Sequence, residues 1–457
     1  MLYLEMIILV IVSIIYIKLL YNKFGNSIPF LILFLIYAFW AIFSIVYIDN
    51  GTYISEQNTK SYFTGSAFRL IVIIAPFLIC APVFFCKFSQ KYEKNLKENE
   101  VKSNEKLYTI LQIIGSILLV YLYINIFISG IPLFNKGVTN FNFYKVYSKM
   151  PLASTLQSTF LQYFILINGI ILCDKKSSKK SKICSIVFYI CCLLYRILFG
   201  EKFYPFLIYT LWFFMPILTQ YFSKQRNEGF INKKIIFICI GFLMTLLVVV
   251  YIKYAVESSK NPNSNSPLEH LIERTFSLQS HMFWGYDRYL TENNMKGINW
   301  ENIGNELLAG IKNTSKFDSN IGLTKIMYII SPQNIVDRYI NNMTRFYGGY
   351  WTLAIGMFGY ILSPLYSIFV AFIFAYYASK FSIALKEKNF FLLFLTSSCY
   401  YIVFTYFNEA NFSYLFSKRM VLYTIIILLY PQIYDKYQKY SKIFIKKLKE
   451  RKKIKSE

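Results

Sequence analysis

The sequence predicts an all-α fold, a polytopic transmembrane helical bundle of about eleven helices carrying one large hydrophilic loop. Three observations lead there. Of 457 residues, 56% are hydrophobic, more than a water-soluble core with a polar skin requires. Long apolar runs recur from one end of the chain to the other, and in hydrocarbon such a run is stable only as a helix that satisfies its own backbone hydrogen bonds. The short alternating segments of a transmembrane β-barrel are missing.

The first run, residues 2–20, has no basic stretch before it and no small-residue cleavage site after it, so it reads as a retained helix rather than a signal peptide. Further spans are read at 28–48, 68–86, 107–129, 155–173, 184–199, 203–222 and 235–255, which makes residues 1–255 a set of eight helices. Residues 256–349 form the large loop, entered through the Ser-, Asn- and Pro-rich stretch 258–267 and containing amphipathic helices at 268–290 and 300–311. Spans at 350–377, 390–408 and 420–434 complete a C-terminal set, 350–434, and a basic tail occupies 435–457. Lysine crowds the connections 87–106, 175–182, 224–234 and 380–388 and the tail, all on one side of the membrane by the order of spans. The positive-inside rule makes that side cytoplasmic, so the large loop is expected to be periplasmic and the protein to sit in a bacterial inner membrane.

The net charge of +25 does not imply a nucleic-acid partner. The lysines stand beside apolar runs, where they orient helices and meet anionic membrane lipids. Eight cysteines (Cys80, Cys86, Cys173, Cys184, Cys191, Cys192, Cys239 and Cys399) all lie in or beside apolar runs. They read as small packing residues, not as a disulfide framework or a metal site.

Charge placed where it is expensive carries the functional signal. Arg196 falls inside the sixth span, and Glu201 and Lys202 form a hairpin tip. Arg69, Lys418 and Arg419 stand at outer helix ends, where snorkelling to the interface accounts for them. The loop holds Arg274, Arg288, Arg338 and Arg345, four of nine arginines, with both histidines, His270 and His281. A guanidinium grips phosphate oxygens with two parallel bonds, so arginines beside a membrane point to a lipid phosphate or pyrophosphate. The alternative is a solvated loop in which they pair with Glu269, Glu273, Asp287 and Asp337. No third ligand stands near the histidines, no Gly-rich phosphate loop precedes an acidic partner, and no GxSxG occurs. Neither a metal site nor a nucleotide-driven or serine-hydrolase mechanism is indicated.

At these residues the chain resembles the O-antigen polymerases (Wzy), integral membrane glycosyltransferases related to the O-antigen ligases. The resemblance rests on the plan of many helices with a large loop in the C-terminal half. It also rests on an Arg-x10-Gly pattern, met here from Arg274 to Gly285, Arg338 to Gly349 and Arg345 to Gly356. Gly200, Glu201 and Lys202 correspond to a basic turn between closely spaced helices, with lysine where the family usually has arginine. Arg274, Trp284 and Arg288 correspond to the Arg- and Trp-bearing loop element, and Arg345 to Gly356 and Gly359 to the entry of the next helix. Ligases place a histidine at that entry, where this chain has Phe346 and Tyr347.

The resemblance implies a GT-C-like bundle that joins undecaprenyl-pyrophosphate-linked oligosaccharide repeat units at the periplasmic face, with no cofactor and no metal. It implies that Lys202, Arg274, Arg288, Arg338 and Arg345 stabilise the leaving pyrophosphate. Arg274 and Arg345 are the expected catalytic cations, and Glu273, Asp287, His281 and Glu409 are candidates to receive the acceptor proton. Gly285, Gly349 and Gly356 are structural positions of the pattern. A chain-length regulator is an implied partner. A flippase or exporter of the same lipid-linked glycan is the main alternative, opposed by the large loop and by the lack of an internal repeat. An O-antigen ligase is the next, opposed by the missing histidine.

Overall fold

A computed structural model describes residues 2–93, 105–135, 142–201, 203–224, 272–295, 297–312 and 314–430. The expected span 235–255, the loop entry 258–267, Lys202, Glu269, His270, Cys239 and the tail 435–457 lie outside the described residues.

The described chain is helical apart from one small β-hairpin. Helices α1 (Leu2–Phe24) and α2 (Ile28–Asp49) are joined by the tight turn Gly25–Ser27. Asn50 Nδ2 donates to Glu5 Oε2 at 3.0 Å, so the two run antiparallel. Pro29 sits in the first turn of α2, where its missing N–H is not needed. Strands β1 (Tyr53–Ile54) and β2 (Thr59–Lys60) pair antiparallel. Then come α3 (Ser66–Glu93), α4 (Glu105–Ser129), α5 (Ala153–Cys173), α6 (Lys179–Leu198) and α7 (Phe203–Lys224).

The large loop holds four short helices: α8 (His281–Glu292), α9 (Trp300–Lys312), α10 (Gly322–Ile330) and α11 (Gln333–Asn341). Helices α12 (Tyr350–Lys386) and α13 (Phe390–Glu409) and a last helical stretch, α14, at 418–430 complete the description.

Among the described residues, eight helical stretches are long and apolar enough to cross a membrane: the α1–α2 hairpin counted as one, α3 to α7, α12 and α13. The protein is an all-α, multi-pass membrane protein. Its centre is aromatic. Phe34 of α2 lies 4.6 Å from Phe374 of α12, 4.9 Å from Phe407 and 5.3 Å from Phe404 of α13, and 5.8 Å from Phe77 of α3, ring centre to ring centre. Edge-to-face and offset pairs of this kind each contribute roughly 0.5–1.5 kcal/mol beyond the area they bury. They hold α2, α3, α12 and α13 as one block.

The apolar run expected at 350–377 extends to Lys386 and is broken at Gly359, whose φ of 65° and ψ of −174° belong to glycine alone. Residues before the break, Tyr350 to Met357, are buried: Tyr350 and Trp351 pack on Phe407 of α13, and the carbonyls of Gly356 and Met357 accept from Asn302 and Asn299 of the loop. The helix expected at 300–311 is present as α9. The one expected at 268–290 is a regular helix only from His281, preceded by a wide turn over Glu273–Ser277. Helices α10 and α11 carry only nine residues each, too few for their periodicity to stand out from the sequence.

Candidate functional site

On the loop side the charged residues form three networks. The first clamps the 49–65 segment to α8. Asp287 of α8 is fully buried, and Arg69 at the start of α3 grips it with Nε at 2.9 Å from Oδ1 and Nη2 at 2.6 Å from Oδ2. Ser66 donates to Oδ2, and the Tyr360 hydroxyl donates to Oδ1 at 2.8 Å. With both oxygens taken by these donors, Asp287 is an anchor, and Arg69 is its partner instead of a snorkelling helix-end residue. Gly285 completes the fit: a Cβ there would lie 2.6 Å from the Gln57 amide nitrogen.

The second network surrounds Glu56 in the β1–β2 turn. Its carboxylate, 4% exposed, lies 2.7 Å from Nε2 of the fully buried His281 and 3.9 Å from Arg274, and it accepts the Tyr339 hydroxyl at 2.6 Å. Burial pushes this carboxyl up, but His281, Arg274 and Tyr339 outweigh it and hold the group below its ordinary value. Nδ1 of His281 faces the Leu278 carbonyl at 3.1 Å. Glu273 Oε1 accepts the Ser55 N–H at 3.0 Å. Four expected site residues, Glu273, Arg274, His281 and Asp287, thus hold the hairpin against the loop.

The third network faces a cavity. Glu409, at the end of α13, lies 3.6 Å from Arg345 Nη2 and 3.9 Å from Lys316 Nζ. The Arg345 side chain is 6% exposed and also donates to the Lys316 carbonyl at 3.3 Å. Glu409 keeps 31% of its side-chain surface open. Beside Lys316, Glu409 raises the ammonium pKa while burial, Arg345 and Lys145 lower it; the balance leaves it below the ordinary lysine value.

Below them a cavity of about 570 Å³ descends between α5, α7, α13 and α14. Its wall carries Thr159, Gln162, Ser397, Ser398, Thr405 and Ser417, with Trp212 and Tyr163 supplying apolar surface. Arg419 of α14 lines it as well. Polar groups in a membrane bundle face one another or a cavity instead of lipid, and these face the cavity.

Arg345 has a second acidic neighbour, Glu306 of α9, 3% exposed, whose Oε1 accepts the Gly322 N–H. Burial raises its carboxyl to about 7 against the pull of Gly322, Arg345 and Lys325. A carboxyl with a folded-state pKa above its unfolded value of 4.5 favours folding when protonated. Stability is therefore expected to fall as pH rises from about 4.5 through about 7, by on the order of 3 kcal/mol, and then to level off. Thermal unfolding of the detergent-solubilised protein across that range checks this. Glu306→Gln should flatten the profile, and an unchanged slope would refute it.

The expected cations do not converge. Arg274 belongs to the Glu56 network, and Arg345 pairs with Glu409, which lines the cavity. Arg288 lies over the Trp284 ring at 4.9 Å, and Arg338 is exposed on α11, 6.0 Å from the Tyr339 ring. Lys202 is outside the described residues; its neighbour Glu201 pairs with buried Arg196 at 2.5 Å. The other pattern glycines are packing positions: a Cβ on Gly349 would lie 2.2 Å from the Trp351 ring, and one on Gly356 2.6 Å from the Tyr286 ring. Lys316 and the cavity-facing position of Arg419 escaped the sequence reading, because a lysine in a polar loop and an arginine at a helix end have no local signature.

Fold and site together define a multi-pass helical membrane protein with a largely apolar cavity in the bundle that carries polar groups and meets the large loop at Lys316. Residues 316–424 match a family of unknown function (DUF6418). The matched stretch includes Lys316, Arg345, Glu409 and Arg419. No curated protein and no solved structure matches the chain.

Proposed function

We propose that the protein is a surface-polysaccharide polymerase of the O-antigen type, a metal-independent glycosyltransferase that joins undecaprenyl-pyrophosphate-linked repeat units at the periplasmic face of the inner membrane. One observation carries the reading. A largely apolar cavity with polar groups set in its wall lies inside the bundle and meets, at Lys316 and Glu409, a carboxylate flanked by two cations, Glu409 between Arg345 and Lys316. That arrangement suits a lipid-borne donor.

As the acceptor hydroxyl attacks the anomeric carbon, the bond from that carbon to the pyrophosphate oxygen breaks and charge grows on the leaving group. Arg345 and Lys316 stabilise that charge. Glu409 has open surface and loose contacts at 3.6 and 3.9 Å, and it takes the proton of the attacking hydroxyl. A GT-C-like arrangement and a chain-length regulator as partner belong to the same proposal.

The test is deletion of the gene in its host, with the surface polysaccharide resolved on a gel. Glycan capped at one repeat unit, on a core that is still decorated, is the expected result. An undecorated core would place the block in export or ligation and overturn the assignment.

A further inference from the structure

Arg419 is out of place as a helix-end lysine or arginine would be understood. Its guanidinium reaches Thr159 Oγ1 of α5 at 3.3 Å and Ser398 Oγ of α13 at 3.5 Å. Ser398 lies eleven residues before Glu409, the last residue of α13, so the guanidinium stands roughly 16 Å along the helix axis from that end at 1.5 Å per residue. A charge at that depth is costly unless an opposite charge or a hydrated path meets it. Among the described residues no carboxylate pairs with Arg419; its other contact is the Tyr423 ring at 5.4 Å. The side chain is exposed, on the flank of the bundle, and it lines the cavity.

We propose that Arg419 is the seat of a phosphate group carried on a membrane lipid, which enters the cavity sideways between α5 and α14. Three features suit an anion there. The guanidinium offers two parallel donors. The hydroxyls of Thr159 and Ser398 stand beside it. The N-terminus of α14, which begins at residue 418, brings the positive end of its helix dipole to the same wall. Glu409 lines the cavity too, but Lys316 and Arg345 flank it at the loop-side mouth. The lipid source is favoured over free phosphate because the seat lies within the span and on its flank. The inference rests on the lipid-carrier part of the proposed function but not on polymerisation, and the Arg419 seat is one the carrier occupies on entry, apart from Arg345 and Lys316, where the leaving pyrophosphate is stabilised.

The experiment measures binding of undecaprenyl diphosphate, and separately of inorganic pyrophosphate, to the purified full-length protein in detergent micelles. Arg419→Gln is expected to weaken binding of the lipid about tenfold or more, as loss of a charge-assisted bidentate contact does. Lys418→Gln removes the same charge from the neighbouring exposed position, which does not line the cavity, and should leave binding unchanged.

Equal loss in both variants, or none in Arg419→Gln, overturns the seat. Arg419-dependent binding of inorganic pyrophosphate without binding of the lipid overturns the lipid source. Wild-type protein that binds neither ligand overturns the carrier reading itself. Should Arg419→Gln not fold, a photoreactive residue at position 398 of the otherwise native protein must cross-link radiolabelled undecaprenyl diphosphate, while one at exposed Ile425 must not. The reverse pattern refutes the proposal.

Discussion

Replacing Arg345 by alanine is expected to abolish polymer formation while the protein still reaches the membrane. The side chain is almost fully buried, and it compensates two carboxylates, Glu409 at 3.6 Å and the more deeply buried Glu306. Removing one preorganised cation that meets charge developing in a transition state costs about a hundredfold to a thousandfold in rate. The loss should appear in turnover of lipid-linked repeat units by membrane vesicles, with protein level measured in the same vesicles. Arg345→Lys keeps the charge but not the planar fork, and partial recovery is expected. Wild-type chain length from Arg345→Ala at normal protein level would remove Arg345 from the chemistry.

Asp287→Ala should act differently, by unfolding the loop-side domain. The carboxylate is wholly buried and accepts from Arg69, Ser66 and Tyr360, so its removal strands the guanidinium and two hydroxyls at once. Breaking a buried ion pair from one side costs about 3–5 kcal/mol. The expected readout is a large fall in the thermal unfolding midpoint in detergent and faster proteolysis of the 49–65 and 272–349 segments. Lipid-linked substrate should not rescue it. A variant as stable as wild type but inactive would return Asp287 to the list of proton acceptors.

The membrane helices were legible because hydropathy is a property of contiguous residues. All ten of the expected spans that fall on described residues meet a helical segment, though α12 divides at Gly359. The site was only partly legible. Arg345 and Glu409 stand out as loop charges, but their pairing spans 64 residues and no spacing announces it. The clamp between Arg69 and Asp287 spans 218 residues. From the sequence, the residues of the Glu56 network look like chemistry because they are the right types. Their role as fasteners depends on a hairpin, 53–60, whose short polar strands give no sign of what they press against. Among the loop helices, α9 showed its amphipathic face over thirteen residues, and α10 and α11 were too brief to do so.

That long-range clamp also orders the protein's assembly. A chain made from its N-terminus delivers Glu56, Gln57 and Arg69 early, while Asp287, His281 and Tyr339 emerge more than two hundred residues later. Contacts between such distant segments form slowly, because the intervening chain must first be closed into a loop. Until α8 arrives, the hairpin has nothing to dock on and Arg69 lacks its carboxylate. Synthesis thus completes the clamp's partners before α13 and α14 emerge, so the cavity gains its last two walls only after every piece of the outer domain has been made.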